Sequence, residues 1–570
     1  MRTAISAVLA IAGTLALPTA QAPDLGVQAP AGIVVSASDV ASDIGAAILT
    51  QGGNAVDAAV ATAFALAVTH PFAGNIGGGG FMVVRMPDGK ATTFDYREKA
   101  PLKSTPTMYL NAKGDIDISL TNAGYLAPGV PGTVRGMALA HSRFGKLPWH
   151  DVVQPAVDIA ANGFVMSASL ARGLNGEIRG AMSRFPASVA AYGKPGSAQW
   201  SEGDRLIQPD LARSLNSIAD SPDAFYTGWI ADFIADDMAN NGGLITRDDL
   251  AAYKAVERVP VKGTFLGYEI ISMPPPSSGG TALIEMLNML ELQQIQKTKP
   301  GTADALHMTA EAMRRAFLDR ARFLGDPDFA QVPVAKLTNK SHAKDVWKTF
   351  SPTQASKSVE LGKDIVTAQV QGEPDDTTHF SVIDKDGMAV SNTYTLEGGY
   401  GSHVVIRGTG ILLNNEMGDF NKKPGTTDLT GNIGTPPNLI APGKRMLSSM
   451  TPTIVTKDGK VALITGSPGG RTIINTVLNV VLDVTAWNMT GREAVDAPRS
   501  HHQWLPDRFD LEADAVAEDV LAKLRAMGHT VRAQGRQGSA HSIWIQPGTG
   551  LVFGINDRRE ATSKASPGGR

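Results

Sequence analysis

Hydrophobic and polar positions in this chain follow two rhythms, one helical and one extended, and the rhythm changes at capping and turn residues. From Ser38 to Thr50 apolar residues recur with helical spacing behind a serine cap and stop at Gly52-Gly53. A second helix is predicted from Asn54 to Val68, with an Asn cap, Asp57 three residues on, and a stop before Pro71. Longer helical patterns cover Ala303 to Phe323 and Thr472 to Ala486. Phe81 to Arg85, Lys460 to Gly466 and Ser542 to Ile545 read as strands. The mixture is α/β or α+β, with helices packed over sheets, and periodicity alone selects no single fold.

One stretch carries more than a fold signal. From Thr377 the sequence runs through Phe380 to Ile383, turns at Asp384-Lys385-Asp386-Gly387, and returns from Met388 to Thr395. Lys385-Asp386-Gly387 suits a three-residue loop closed by a glycine in the left-handed region. That register pairs Asp384 with Met388 and sets Thr377 opposite Thr395. His379, Ser381, Ser391 and Thr393 share their side of the hairpin, so one face is almost wholly polar.

Such a face is read in two ways. A solvated edge hairpin is the ordinary outcome for threonine-rich strands. The alternative is a hidden nucleophile. Threonine hydroxyls attack poorly without an adjacent base, and an α-amino group with a pKa of about 7.7 to 8.0 is such a base. Attack of the Thr377 hydroxyl on the Asp376 carbonyl would cut the chain and expose that amine on the residue that carries the nucleophile.

Composition narrows the class. The chain has 570 residues, 43% hydrophobic and 19% charged, with a net charge of −3, so it can bury a large core and offers no basic field for nucleic acid. No linker long enough to separate two domains is evident, and the 60 glycines follow no fixed period. The chain contains no cysteine, which excludes disulfides and thiol chemistry. Arg2, the apolar run Ala4 to Leu17 and Ala20-Gln21-Ala22 read as an export signal over residues 1–22, and that run falls short of the roughly 18 residues a spanning helix needs. Pro23 is awkward for cleavage, which leaves a cut a few residues away, or an uncleaved anchor, as the alternatives.

Two further motifs are weighed and set aside. Gly77 to Gly80 follows a helix, precedes a strand and lacks a phosphate loop's lysine, so tight packing explains it better than nucleotide binding. His501 and His502 are adjacent and point to different sides, which suits hydrogen bonding rather than metal. Neither a metal nor a cofactor is expected.

Several segments in order resemble one family. They are Gly53 to Ala59, Thr69 to Asn75, Phe94 to Glu98, Gly129 to Thr133, Pro274 to Gly280, Thr377 to Val382, Leu412 to Phe420, Leu447 to Thr453 and Gly466 to Gly470. Together they are similar to the bacterial γ-glutamyltransferases, over nearly the whole chain after the first thirty or so residues. The resemblance implies the four-layer αββα sandwich of N-terminal-nucleophile hydrolases. It also implies self-cleavage between Asp376 and Thr377, giving a large piece, 23–376, and a small piece, 377–570, that stay together as a heterodimer. The implied substrates are glutathione and related γ-glutamyl amides, with water, amino acids or peptides as acceptors.

By the same resemblance, Thr377 is the nucleophile and Thr395 the threonine that orients its amine. Gly469 and Gly470 supply oxyanion amides. Arg97, with Ser448 and Ser449, binds the glutamyl α-carboxylate, while Glu416 and Asp419 accept from the α-ammonium, with Asn415 on their segment. Glu397 stands where many members carry asparagine, adding an acidic group toward that ammonium. In the lid segment, Asn421 to Arg445, Thr430 falls where several members place a tyrosine, so water is expected to compete with transfer. Two other readings fit: a cephalosporin or glutaryl acylase, whose donors lack the α-amino group, and a non-catalytic secreted binding protein, which would remain uncut.

Overall fold

A computed structural model describes residues 24–365, 367–368, 377–512 and 516–569. The export segment 1–22 and Asp376 lie outside the described residues.

Two seven-stranded antiparallel sheets lie face to face between layers of helix. In the first, Lys564–Gly568, Gly32–Ser36, Thr378–Ile383, Ala389–Thr395, Gly79–Arg85, Ala91–Asp95 and Val256–Arg258 follow one another across the sheet. In the second, the order is Val27–Ala29, Val552–Ile555, Ser542–Ile545, Lys460–Thr465, Thr453–Lys457, Tyr268–Ser272 and Val261–Phe265. The αββα expectation is met.

Helix α1, Asp39–Thr50, begins where the Ser38 side chain accepts from the Ala41 amide. Helix α2, Ala55–Thr69, begins at a reciprocal capping box of Asn54 and Asp57. Every residue of α2 is buried, which is why its apolar positions run all round it. It packs on Phe380, Val382, Val390 and Tyr394 of the first sheet. On the far side, α3 (Gly279–Leu292), α4 (Ala303–Phe323), α5 (Lys340–Val346) and α6 (Thr472–Thr485) cover the second sheet.

The space between the sheets is graded. At one end Ile33, Val35, Val83 and Ile383 meet Ile271, Ile454, Ile464 and Ile543, each burial stabilising by about 1.5–3 kcal/mol. At the other end His379, Ser381, Ser391 and Thr393 form a polar layer, and all four are buried. The solvated-edge alternative is therefore overturned: the hairpin occupies the centre of the first sheet, and its polar face meets the second sheet. Ser381 Oγ donates to the His541 carbonyl at 2.8 Å and Ser391 Oγ donates to the Thr465 carbonyl at 2.9 Å. His379 lies between Thr393 Oγ1 and Ser381 Oγ, and burial, aided by His541, drives its pKa well below the usual histidine range.

Candidate active site

The hairpin register is the one read from the turn. Thr378 pairs with Tyr394 and Ile383 with Ala389, and the Asp384 amide donates to the Met388 carbonyl at 3.0 Å. Gly387 takes φ +86°, and Asp384 Oδ1 accepts from the Asp386 and Met388 amides. The other oxygen of Asp384 accepts from the Ala55 amide, which docks the turn on the start of α2. At the open end this register brings Thr377 Oγ1 to 3.4 Å from Thr395 Oγ1. Thr395 Oγ1 also accepts from the Glu397 amide at 2.8 Å, and Asn75 Nδ2 donates to the Thr395 carbonyl at 2.9 Å.

The glycine run explains how the neighbouring segments come this close. A Cβ on Gly78 would stand 2.1 Å from the Thr395 carbonyl oxygen, and one on Gly79 would stand 2.7 Å from a Glu98 carboxylate oxygen. Gly79 pairs with Thr395, so the missing side chain lets Glu98 approach the Thr395 strand. These glycines serve packing beside the site, as the sequence suggested.

Thr377 opens on a cavity of about 420 Å³ whose wall includes Gly469, Thr472, His70, Phe72 and Arg536. Gly469 and Gly470 form the turn into α6, at φ +122° and +52°, and the Gly469 carbonyl accepts from the Thr472 amide and hydroxyl. The turn places the positive end of a 14-residue helix close to the cavity.

Arg97 heads a separate buried cluster. Its guanidinium pairs with Glu416 and Asp419, approaches Glu98 at 3.5 Å, and donates to the Met446 and Leu447 carbonyls. Local reading alone would make Arg97 beside Glu98 a surface ion pair; both are fully buried. Three carboxylates thus face one cation. Burial, only partly offset by Arg97, pushes Glu98 up to about 7 and Glu416 well above the usual carboxylate range. Burial opposes the charge on Arg97, but Glu416, Asp419 and Glu98 outweigh it and raise its pKa. The groups assigned to opposite ends of a glutamyl head here neutralise one another. The space beside Asp419, bounded by Arg320, Gly418 and Leu447, is about 30 Å³, room for little more than a water. That space is too small for a glutamyl head.

The remaining candidates join these two centres. Glu397, at φ +78°, lays its carboxylate over Gly418, where a Cβ would come within 2.7 Å. Asn415 Oδ1 accepts from the Gly398 amide at 2.9 Å, and the Asn415 amide donates to the Leu396 carbonyl. The strand that ends at Thr395 is thereby tied to the turn that carries Glu416 and Asp419. Ser448 Oγ accepts from the Met450 amide, and Ser449 Oγ accepts from Arg320 at 3.1 Å. Thr430 donates to Asp428 Oδ1, which also accepts from the Thr430, Gly431 and Asn432 amides, and Arg471 donates to the Gly431 carbonyl at 2.6 Å. The tip of the segment from Asn421 to Arg445 is thus fastened to the residue that follows Gly470.

Arg320 and Arg471 were missed from the sequence. Arg320 Nε donates to Ser278 Oγ, whose hydroxyl donates to the Ser448 carbonyl, so one arginine braces both serine segments. The quoted Pro274 to Gly280 motif was the available signal, since its serines require partners. His501 and His502 are buried and hydrogen-bonded, His501 to Asn475 and Gln503 and His502 to Asp507; burial holds them at about 4 and about 3.

A family model described as gamma-glutamyltranspeptidase matches residues 41–566. A glutathione hydrolase proenzyme of Escherichia coli (strain K12) is 46% identical, covering 94% of this chain and 91% of its own. The crystal structure of Helicobacter pylori gamma-glutamyltranspeptidase is 43% identical with a TM-score of 0.56, covering 59% of this chain and 95% of that one. A cephalosporin acylase from Bacillus halodurans is 25% identical with a TM-score of 0.82, covering 98% of this chain and 99% of that one.

Proposed function

This chain belongs to the gamma-glutamyltranspeptidase family, and from that premise we propose that it is a self-processing enzyme acting on glutathione and related γ-glutamyl compounds. The observation that carries the reading is the pair of hydroxyls of Thr377 and Thr395, 3.4 Å apart, beside a cavity that Gly469 also lines.

Processing and turnover use one oxygen. The Thr377 hydroxyl adds to the Asp376 carbonyl carbon, the peptide C–N bond breaks as the nitrogen takes a proton, and an ester remains. Water hydrolyses that ester, leaving the Asp376 carboxylate and a free Thr377 amine. In turnover the amine accepts the hydroxyl proton while the oxygen attacks the donor's γ-carbonyl. The oxyanion is held by the Gly469 and Gly470 amides, and the leaving amine takes the proton as the γ-glutamyl ester forms. Water or an amino acid or peptide amine then attacks that ester. Thr395 orients the new amine.

For the glutamyl head, Arg97 with Ser448 and Ser449 receives the α-carboxylate, while Glu416, Asp419 and Glu397, with Asn415 on the same segment, receive the α-ammonium. The excess of carboxylates over Arg97 supports this, because an arriving cation relieves it. A substrate carboxylate must exchange for Glu416 and Asp419 on the guanidinium, so binding requires this pocket to open. The large piece, 23–376, and the small piece, 377–570, remain as a heterodimer, since neighbouring strands of both sheets come from both pieces. Residues 1–22 direct export to the periplasm or beyond. No helix among the described residues is long and apolar enough to cross a membrane.

An acylase for donors without an α-amino group is the second reading, favoured by the likeness to a cephalosporin acylase. The acidic set around Arg97 opposes it, because such donors bring no cation. Purified enzyme offered γ-glutamyl-p-nitroanilide and glutaryl-p-nitroanilide separates the two: faster release from the glutaryl compound overturns the proposal. With glycylglycine present, Thr430 in place of a ring predicts more free glutamate than γ-glutamylglycylglycine.

A further inference from the structure

Three helices of the outer layer bring together a cluster that the chemistry above does not use. Glu285 of α3, Asp319 of α4 and His342 of α5 place one ligand atom each within 4.8 Å of the others. His342 Nε2 lies 2.7 Å from Asp319 Oδ2 and 3.6 Å from Glu285 Oε1. Glu285 is 1% exposed, and its Oε1, aimed into the cluster, has no hydrogen-bond partner among the described residues, with His342 Nε2 in ion-pair range at 3.6 Å. A buried carboxylate oxygen without a donor is costly, and a cation at that point would satisfy it. Arg322 holds Asp319 Oδ1 at 3.2 Å, which fixes the carboxylate and leaves Oδ2 facing inward. His342 is partly exposed and provides the way in.

We propose that Glu285, Asp319 and His342 form a site for a divalent first-row transition metal, with Zn²⁺ as its best occupant. One imidazole nitrogen and two carboxylate oxygens suit Zn²⁺, Mn²⁺ or Co²⁺, whereas Ca²⁺ and Mg²⁺ favour all-oxygen sets. Three ligands from three rigid helices leave a further position for water. The other such group, His307, Glu311 and His529, makes a contrast. There Glu311 is already taken by Arg314, Arg315 and Ser356, and the two imidazoles bond each other at 2.7 Å. The metal would join α3, α4 and α5 one residue before Arg320, whose bonds to Ser278 and Ser449 brace the serine segments. The site is therefore structural, and its existence does not depend on the enzyme reading.

The test is titration of chelator-treated full-length protein with Zn²⁺ by calorimetry, and with Co²⁺ by visible absorption. One Zn²⁺ per chain is expected, with a d–d band for Co²⁺ that His342→Gln abolishes. Glu285→Gln, nearly isosteric, is expected to weaken Zn²⁺ binding at least tenfold while keeping the wild-type circular dichroism, which covers the case that His342→Gln fails to fold. Absence of stoichiometric binding, or binding unchanged in Glu285→Gln, would show a hydrogen-bonded ion pair only and overturn the proposal.

Discussion

Replacing Thr395 with valine removes one oxygen and almost no volume, which makes it the sharpest probe of how the nucleophile is held. That oxygen accepts from the Glu397 amide at 2.8 Å and from the Thr377 hydroxyl at 3.4 Å. Thr395 is 2% exposed, so water does not readily take its place. Depriving the Glu397 amide of this acceptor costs about 1–3 kcal/mol of stability. The same bond helps hold Glu397 at φ +78°, a conformation that itself costs about 1–3 kcal/mol. For catalysis, a hydrogen bond to a charged amine is worth about 1.5–3 kcal/mol, which converts to a fall in kcat of roughly 10- to 150-fold. The assay is steady-state release from γ-glutamyl-p-nitroanilide, with processed enzyme counted by mass spectrometry so that slow cleavage is not mistaken for slow turnover. Thr395→Ser restores the oxygen and should regain most of the rate. A processed Thr395→Val enzyme with kcat within twofold of wild type and an unchanged unfolding midpoint refutes the reasoning.

Other predictions follow from single contacts. Gly469→Ala sets a Cβ 2.4 Å from Thr472 Oγ1 at φ +122°, so kcat should fall at least tenfold; a rate equal to wild type removes Gly469 from the oxyanion role. Arg97→Lys loses the fork that spans Glu416 and Asp419, and KM for the γ-glutamyl donor should rise roughly 10- to 100-fold while cleavage of the chain proceeds, as a substrate titration of the processed variant would show. Asp483 of α6 is pushed up to about 8 by burial, only partly countered by Arg499. The folded state therefore keeps a proton that the unfolded chain, titrating near 4, releases. Its contribution to stability falls by about 1.4 kcal/mol per pH unit between those values. Asp483→Asn should flatten the loss of thermal stability between pH 5 and pH 8, and parallel curves for the two proteins would contradict this.

How far the sequence carried the account depends on the range of each signal. The Thr377–Thr395 pairing was legible because a hairpin register is local, set by Gly387 and a period of two. The fate of its polar face was not, since the strands that cover it come from residues 453–465 and 542–545. Arg97 looked locally like a surface pair with Glu98 because Glu416 and Asp419 lie more than 300 positions away. The helix that bears Arg320 was predicted to the residue, yet helical spacing does not reveal that its last turn reaches Ser449. Glu285, Asp319 and His342 follow no ligand spacing; only the packing of three helices brings them together.

The central claim is that the Thr377 oxygen both severs its own chain and carries the acyl group. Intact-mass analysis with N-terminal sequencing, on wild type and Thr377→Ala, tests it most directly. Wild type should yield a fragment beginning at Thr377 and ending at Arg570, together with γ-glutamyl turnover, while Thr377→Ala should remain a single inactive chain that no added nucleophile cuts at that bond. Turnover by a chain still joined across Asp376 and Thr377, or a wild-type fragment that begins at another residue, would contradict the account.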